Sequence, residues 1–364
     1  MQCPRLGYYD KVYQGNTGTH VASIYVNQDN SVEFNCSCGY NLFTGKICKH
    51  LKDLLKEVDE VYKINVNKGI REFDSSIETI PELLQDKAYN DNQLLSIYAR
   101  AGKGKTLFVL QEATYFLSQG YNVLIIDTEG SLNKMISAWG DIFEERFGEG
   151  KGELFVEIHQ KVPSLLKFLG YDGRFIPPKK KGGKFTFSYT KDASSENKLT
   201  PIELLVKKNK IDFVILDSLT SALEDVPTTS QNLPARADCT KLILREINRV
   251  MNDYNVGAMV THHTSWNPMD TLSKESDNMI VGGKAVKHYS KSIIYMDMRQ
   301  HMGKIKDDVK NYRRFWLVRA PNFSDWSRAS VARIDDTGFH YVKMGSEEYK
   351  KCFNNGELLR LGIK

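Results

Sequence analysis

Long apolar runs are missing from this sequence of 364 residues. No stretch approaches the roughly 18 consecutive apolar residues of a membrane-crossing helix, and the N-terminal residues MQCPRLGYYDKVYQ lack the apolar segment of a secretory signal. Neither charge is in large excess, since 50 Lys and Arg residues against 45 Asp and Glu residues give a net charge of +5. We therefore expect a cytoplasmic protein without a membrane partner. Its mild positive charge is compatible with nucleic acid but does not by itself indicate it.

Cysteine is scarce, and half of it is clustered. Six cysteines occur in the chain, and three of them lie in the segment CSCGYNLFTGKICKH. Cys36 and Cys38 are separated by one residue, as are Cys48 and His50 further along. Three thiolates and one imidazole suit tetrahedral zinc, and four protein ligands leave no open position for a reacting water. We therefore predict a structural zinc ion at these four residues; the alternative is a set of unrelated buried cysteines.

The residues around this cluster predict a small domain over residues 1–62. Residues 21–26 and 31–35 have the composition of two short strands, and apolar residues recur with helical spacing after His50. The CxCx9CxH spacing and the ββα order resemble the SWIM zinc finger, a module that serves as an adaptor for DNA or protein. Residues 63–90 are mixed and polar, and we expect a linker there.

Beyond this linker, residues 91–345 alternate between apolar strands and amphipathic helices. Runs such as LLSIY, VLIID and FVILD are separated by helical segments, which favours an α/β fold with a mostly parallel sheet and helices on both faces. Three later runs, at 292–296, 315–319 and 329–334, lack intervening helices and predict antiparallel additions at the sheet edge. Residues 346–364 form a C-terminal tail.

A glycine is missing from an otherwise complete phosphate-binding loop. The segment ARAGKGKTL follows the pattern G-x-x-x-x-G-K-[ST], except that Ala99 stands in place of the first glycine. Backbone amides at the start of the following helix would surround phosphate. Lys105 would reach the β- and γ-phosphates, and Thr106 would hold Mg²⁺. Alanine fits at position 99 only if its backbone avoids positive φ. The predicted ATP-binding residues are Arg100, Ala101, Gly102, Lys103, Gly104, Lys105, Thr106 and Leu107.

Two carboxylates at the ends of apolar strands support a nucleotide site. Asp217 ends the run FVILD, where a second Mg²⁺ ligand is expected. Glu129 follows the run VLIID and could polarise an attacking water as general base. Each carboxylate alone is a weak signal because many strands end in an acid, but the three strand ends in this order predict an ATPase.

Five segments of the chain together resemble the ATPase core of RecA/RadA recombinases, most closely the RadA-type proteins and their paralogues. The resemblance is collinear over about residues 75–345. It implies a RecA-like P-loop core in which Asp217 is the Walker B aspartate and Glu129 the catalytic glutamate, with His263 at the position of the γ-phosphate sensor. The segments are ARAGKGKT, VLIIDTEG, FVILDSLTSAL, LPARADCTKLILREINRVMNDYNVGAMVTHH and GGKAVKHYSKSIIYMDMR.

The chain departs from that family in three respects, one of which is the segment Ser131-Leu132-Asn133-Lys134 in place of the family's arginine-bearing stretch beside adenine. The family usually carries Asn-Gln where this chain has His262-His263, and histidine donates a hydrogen bond with a different reach and charge. The helix-hairpin-helix domain that precedes the family's core is replaced by the cysteine-rich segment. These departures leave ATP binding expected, and they favour a paralogue or a divergent mobile-element recombinase over a protein with full strand-exchange activity.

Expected DNA contacts fall in three places. The insertion at 171–198 carries a basic turn followed by alternating aromatic residues. This is either a solvated hairpin or a nucleic-acid contact in which lysines meet phosphates and aromatics stack on bases. By the resemblance, residues 224–232 and 265–280 occupy the positions of the family's two DNA-binding loops. The candidate DNA-binding residues are Arg236, Trp266, Lys179, Lys180, Lys181 and Lys184.

Two further lysines, Lys284 and Lys287, follow the pair Gly282-Gly283. In RecA-like rings and filaments, basic residues near this place can reach the γ-phosphate of a neighbouring subunit. The alternative is that both are ordinary solvated lysines.

The sequence therefore predicts a DNA-stimulated ATPase of the RecA/RadA class that acts in homologous recombination and DNA repair, with ATP, Mg²⁺ and structural Zn²⁺ as cofactors. The expected partners are DNA, with single strands favoured, further copies of the chain in a filament or ring, and other recombination proteins. One alternative is a recombination mediator with weak ATPase activity and no strand exchange. Another is a hexameric motor similar to DnaB or KaiC, which shares the same core.

Overall fold

The computed structural model divides the chain into two compact units, residues 1–69 and residues 70–364, which are described separately. Within them, the structure describes residues 8–15, 18–26, 32–37, 49–51, 53–54, 71–85, 89–91, 93–180, 183–192, 199–224, 232–264, 283–299, 307–321 and 323–363.

The first unit contains a three-stranded antiparallel sheet. Strand β1 (Tyr8–Gly15) pairs with β2 (Gly18–Val26), and β2 pairs with β3 (Val32–Cys36). The two predicted strands are β2 and β3, while β1 was not predicted. Residues 49–51 and 53–54 are helical, as the spacing after the cysteine cluster predicts, and they bury Leu51 and Leu54.

The second unit is built from thirteen described strands and nine described α-helices. The strands are β4 (Glu72–Phe73), β5 (Tyr89–Asn90), β6 (Leu95–Ala99), β7 (Val123–Asp127), β8 (Leu154–Ile158), β9 (Tyr171–Ile176), β10 (Thr186–Lys191), β11 (Phe213–Asp217), β12 (Gly257–His263), β13 (Ser292–Asp297), β14 (Tyr312–Arg319), β15 (Arg328–Asp335) and β16 (Gly338–Val342). The helices are α1 (Thr79–Leu84), α2 (Lys105–Ser118), α3 (Leu132–Phe147), α4 (Val162–Phe168), α5 (Pro201–Lys208), α6 (Leu233–Tyr254), α7 (Gly283–Tyr289), α8 (Glu347–Lys350) and α9 (Asn355–Arg360).

Nine of these strands form one sheet in the order β16-β15-β14-β13-β6-β12-β11-β7-β8. The strands from β13 to β8 are parallel to their neighbours, whereas β14, β15 and β16 add in antiparallel orientation. This confirms the predicted α/β class with a mostly parallel sheet. One of the three expected antiparallel additions differs: β13 pairs in parallel with β6, and only its outer neighbours are antiparallel.

Apolar cores cover both faces of this sheet. In β7, Leu124 and Ile126 belong to one core, and Val123 and Ile125 belong to the other, because successive side chains of a strand point to opposite faces. Helices α4, α5, α6 and α7 contribute to the first core, and α1, α2 and α3 to the second. All residues of β6, β7 and β11 are buried, which is typical of parallel strands between two helical layers.

Much of the segment expected to be a linker, residues 71–85 and 89–90, is folded as part of the second unit. Arg71 forms an ion pair of 2.6 Å with Asp212. Phe73 is buried in an aromatic cluster of the second core. The segment is mostly polar, and its sequence therefore indicated a linker. Most of the few apolar residues that it contains are buried in the second core.

The C-terminal tail is also folded where the structure describes it. Tyr349 and Phe353 are buried in a third apolar cluster against β14 and β15. Glu357 on α9 forms an ion pair of 3.1 Å with Arg314 on β14. In the part of the chain that the structure describes, no helix has the length and apolar character needed to cross a membrane.

Candidate nucleotide site

Four neighbouring parallel strands bring the predicted site together. In the order β6, β12, β11, β7, their carboxyl ends lie side by side at one edge of the sheet. Ligands of open α/β sheets bind at this edge. The edge therefore carries the phosphate-loop candidate after β6, His263 at the end of β12, Asp217 at the end of β11 and Glu129 just beyond β7.

The loop between β6 and α2 has the backbone shape that its glycines predict. Gly102 and Gly104 have φ values of 70° and 96°, in the left-handed region that favours glycine. Gly104 immediately precedes the first turn of α2, whose backbone amides form an anion-binding helix start. Ala99 is the last residue of β6 and is buried, so alanine is accommodated there in strand conformation.

Residues of the antiparallel strands β14 and β16 pack against this loop. The Arg313 guanidinium donates from Nε to the Lys103 carbonyl oxygen at 2.8 Å. A Cβ atom on Gly104 would lie 3.3 Å from the Phe339 ring, so this ring packs closely on the loop. The side chain of Leu107 is buried in the second core, while Arg100 and Ala101 are exposed. The loop is therefore anchored on one side and open on the other.

Lys105 is buried beside the other charged groups of the site. Its Nζ donates to the carbonyl oxygens of Ala99 and Arg100 at 3.3 and 3.5 Å, and it lies 3.3 Å from Nδ1 of His263. Burial lowers the pKa of Lys105, and the carboxylates of Asp217 and Glu129 oppose this shift. An ammonium group at the start of α2 is suited to neutralising phosphate charge.

Thr106 and Asp217 form the oxygen-rich part of the site. The Thr106 hydroxyl donates to Oδ2 of Asp217 at 2.8 Å, and the Thr261 hydroxyl donates to Oδ1 of the same carboxylate. Burial raises the pKa of Asp217, whereas the hydrogen bond from Thr261 lowers it. A hydroxyl and a carboxylate are hard oxygen ligands of the kind that Mg²⁺ prefers, so these residues fit the predicted magnesium site.

Glu129 is presented by a turn that Asp127 holds. The Asp127 carboxylate accepts hydrogen bonds from the backbone amides of Glu129, Gly130 and Leu132 at 2.8–3.1 Å. The Glu129 side chain then extends toward the carboxyl end of β12, where its Oε1 lies 2.8 Å from Nε2 of His263. This hydrogen bond is the main cause that lowers the pKa of Glu129 to about 2, against the opposite effect of burial. Glu129 is therefore ionised at neutral pH.

His263 connects the lysine and the glutamate. With Nε2 donating to Glu129, Nδ1 is left as the acceptor for the Lys105 ammonium, which is the neutral tautomer. The adjacent His262 is completely buried and its Nε2 lies 3.0 Å from the Ser96 hydroxyl. Burial lowers the pKa of His262 to about 3. Only the second histidine of the pair reaches the site.

Sequence reasoning missed several side chains that shape this site. Ser218 and Ser221 donate to Oε1 of Glu129 at 3.0 and 3.2 Å, and Thr261 and Arg313 contact Asp217 and the phosphate loop as described above. Serine and threonine have many uses in turns, so nothing in their spacing predicts a partner far away in the sequence. A faint signal is that both serines lie within four residues after the end of β11, in FVILDSLTS.

The predicted zinc ligands are only partly within the described residues. Cys36 and His50 are described, and Cys36 Sγ lies 3.7 Å from His50 Nδ1. Cys38 and Cys48 lie outside the described residues. In the described part of the chain, no group of three or more potential ligands is placed to hold a metal ion. Two ligands of a tetrahedral zinc ion, a sulfur and a nitrogen, are about 3.5 Å apart, so the described pair fits such a site.

The described part of the basic insertion forms the hairpin β9–β10. Lys179, Lys180 and Lys184 are exposed, and Lys181 lies outside the described residues. Phe175 and Phe187 are partly buried and pack on the first core, with their rings tilted at 5.0 Å between centroids, whereas Tyr189 is exposed. The two phenylalanines therefore stabilise the hairpin, while Tyr189 and the described lysines of the turn are exposed.

The remaining candidates are distributed as follows. Arg236 is 6% exposed and donates to the Leu223 carbonyl oxygen, so its guanidinium lies beneath the surface and holds the start of α6. Trp266 lies outside the described residues, as does most of both expected DNA loops. Lys284 and Lys287 lie on α7; the Lys287 carbonyl accepts a hydrogen bond of 2.7 Å from Arg319, and the Lys284 side chain is outside the described residues.

Comparison with known proteins gave a distant likeness among solved structures. No protein-family model matches the sequence, and the search of curated proteins found no match. Among solved structures, the chain is similar to a crystal structure of the RadB recombinase, with 16% sequence identity and a TM-score of 0.49 over 74% of this chain and 100% of that one. A likeness at this level assigns neither a fold family nor a function to the present chain.

Proposed function

We propose that the chain is an ATP-hydrolysing, DNA-binding protein with a RecA-like core that acts in homologous recombination and DNA repair. The observation that carries the ATPase part is the group at the sheet edge: Lys105 and Thr106 at the start of α2, Asp217 within 2.8 Å of Thr106, and Glu129 opposite them. A phosphate cradle, a magnesium pair and a carboxylate base are the parts that phosphoryl transfer requires.

In this proposal each residue has one task. The backbone amides of residues 102–106 and Lys105 bind the β- and γ-phosphates, and Thr106 with Asp217 hold Mg²⁺, which supplies charge neutralisation on the phosphates when bound. Glu129 accepts the proton of the attacking water. His263 exchanges contacts: a γ-phosphate attracts the Lys105 ammonium, so the hydrogen bond between Lys105 and His263 is lost when nucleotide binds.

The DNA part of the proposal rests on the family resemblance and on the exposed lysine turn of the hairpin. Lysines that meet phosphates give binding that is independent of sequence and sensitive to salt. We extend the proposal to self-association into a filament or ring, in which Lys284 and Lys287 face a neighbouring subunit, and to a zinc-bound N-terminal unit that docks DNA or a protein partner.

A second candidate function, a recombination mediator with weak ATPase activity, is favoured by one observation. The pKa of Glu129 is about 2, and a base works best when its pKa lies near the working pH. Glu129 in this arrangement is therefore a weak base, as expected of a slow ATPase.

The test is ATP hydrolysis with and without single-stranded DNA, in the wild type and in Lys105→Ala, with the exposed Lys134→Ala as a matched control. The proposal expects DNA-stimulated hydrolysis that Lys105→Ala abolishes and Lys134→Ala retains. Slow hydrolysis without strand exchange supports the mediator. Electron microscopy with an ATP analogue separates a filament from the closed ring expected of a hexameric motor.

A further inference from the structure

The turn that follows β11, residues 218–221, contacts Glu129 and His263, and we call it the serine turn. Ser218 and Ser221 both donate to Oε1 of Glu129, and their hydroxyls lie 3.0 Å from each other. The backbone amide of His263 donates to the Thr220 hydroxyl at 2.9 Å. Three of the four residues in this turn therefore touch either the base or the histidine beside it.

The serine turn is itself fixed by the strands on both sides of β11. The Ser218 backbone amide donates to the Thr128 hydroxyl at 2.9 Å, and that hydroxyl donates to the Ser218 carbonyl oxygen. The Leu219 amide donates to the carbonyl oxygen of Thr261 on β12 at 3.0 Å. Ser218 is completely buried. These contacts make the turn a rigid support, which a group aligned for catalysis requires.

The contacts with the serine turn differ in kind from the contact with His263. His263 also contacts Lys105, so under the proposed function it loses one of its two side-chain partners when a phosphate attracts the lysine. Ser218 and Ser221 form hydrogen bonds to Glu129 but to no charged group of the phosphate loop in the described structure, so we expect a phosphate bound there to leave these bonds in place. They donate to Oε1, as His263 does, whereas the described residues provide no hydrogen bond to Oε2.

We propose that Ser218 and Ser221 are positioning residues that hold the Glu129 carboxylate by Oε1, so that Oε2 faces the water that attacks ATP. This inference rests on the proposed ATPase function. Ser218, Ser221 and His263 already donate hydrogen bonds to Oε1, so the proton of the attacking water is accepted at Oε2. A glutamate side chain has three rotatable bonds, and a carboxylate held by His263 alone loses its orientation when His263 changes partner.

The test compares steady-state ATP hydrolysis of Ser218→Ala/Ser221→Ala, Ser221→Ala and Ser221→Thr with that of the wild type. We expect kcat to fall about 10-fold or more in the double variant and less in Ser221→Ala, with KM for ATP unchanged. Ser221→Thr keeps a hydroxyl and should restore kcat. The exposed Ser137→Ala on α3 serves as a matched control, and ADP binding verifies that each variant is folded.

Two results would overturn the positioning role: a kcat unchanged in both alanine variants, or a Ser221→Thr variant as slow as Ser221→Ala. If the double variant fails to bind ADP, Ser221→Ala and Ser221→Thr decide alone. Lys105→Ala separates this inference from the function on which it rests. If Lys105→Ala hydrolyses ATP like the wild type, the proposed function fails and the inference fails with it; if it is inactive, a normal kcat in the serine variants rejects the inference only.

Discussion

At the scale of single residues, His263 links the two charged groups that a γ-phosphate would separate. Its ring lies 2.8 Å from the Glu129 carboxylate and 3.3 Å from the Lys105 ammonium. An Asn-Gln pair would place a side-chain amide here, which can likewise donate on one side and accept on the other. Histidine has the same dual capacity, so His263 contacts both groups at once.

The residue-scale prediction concerns this connection. His263→Ala should bind ATP normally, because the phosphate contacts come from the loop, but it should slow hydrolysis about 10-fold or more through loss of alignment. It should also lose the gain in DNA affinity that ATP produces. His263→Gln, which can form both hydrogen bonds, should keep most of each property. The measurements are kcat and DNA affinity with an ATP analogue, with ADP and without nucleotide; equal behaviour of the alanine and glutamine variants would reject the connection.

Residue patterns revealed the charged members of the site but not their supports. Lys105, Asp217 and Glu129 could be found because each follows an apolar strand or a glycine loop, and the parallel sheet then brings those strand ends together. Ser218 and Thr261 could not be found, because their contacts depend on which strands become neighbours. Similarly, the three alternating aromatics in the hairpin suggested base stacking, whereas the fold packs Phe187 partly against the first core and leaves only Tyr189 of the three exposed.

At the scale of elements, α2 carries a buried carboxylate that anchors the segment before the core. Glu112 is completely buried and accepts hydrogen bonds from Ser75, Ser76 and Tyr89, at 2.8 Å for the tyrosine. Burial raises the pKa of Glu112 to about 7, although these hydrogen bonds lower it. Glu112 therefore keeps a proton in the folded state at a pH where the unfolded chain has lost it.

This raised pKa predicts a pH-dependent stability. Between about pH 4.5 and about pH 7, Glu112 is protonated in the folded state but ionised in the unfolded chain. The contribution of Glu112 to the free energy of unfolding is therefore fully present below this range and is lost as the pH rises through it. The contribution of Glu112 amounts to about 3 kcal/mol across this range. Glu112→Gln should remove this part of the pH dependence, while the exposed Glu144→Gln on α3 should not.

The measurement is the free energy of unfolding in urea at pH 5 and pH 8, followed by tryptophan fluorescence. All four tryptophans lie in the second unit, so the signal reports that unit alone. An equal loss of stability on raising the pH in the wild type and in Glu112→Gln would contradict the assigned pKa.

The hairpin is the second element with a testable role. Lys179 and Lys180 are exposed in its turn, and Lys207 and Lys208 are exposed on α5. Replacing either pair with alanine changes the net charge equally, so general charge effects cancel. Replacing Lys179 and Lys180 should flatten the slope of log affinity against log salt on single-stranded DNA by about 1.4, since each phosphate contact contributes about 0.7. Replacing Lys181 and Lys184 as well should flatten the slope by up to about 3 in total. An equal effect of the two pairs would reject a specific DNA contact by the hairpin.

At the scale of the whole molecule, the two units divide the expected cofactors between them. The first unit has a small core, so a zinc ion would contribute much of its folding free energy. The second unit has two extensive apolar cores and contains the whole nucleotide site. The α/β class of the second unit followed from its periodic apolar runs, but short segments such as β4, β5 and α8 carry too few residues for periodicity to detect.

The whole-molecule prediction is one zinc ion per chain by elemental analysis. Cys36→Ser and His50→Ala should lose the metal and unfold the first unit, while ATP binding by the second unit persists. Cys3→Ser removes a cysteine outside the motif and should keep the metal. A metal-free native protein with an intact first unit would show that the cysteine cluster is not a zinc site.

The central claim is that the sheet edge hydrolyses ATP with Glu129 as base, and Glu129→Gln tests it most directly. The measurement is ATP binding and single-turnover hydrolysis by the same preparation, with Lys105→Ala beside it. We predict that Glu129→Gln binds ATP like the wild type but hydrolyses it at least about 10²-fold more slowly, as expected for the loss of a general base. Hydrolysis by Glu129→Gln at the wild-type rate would contradict the account.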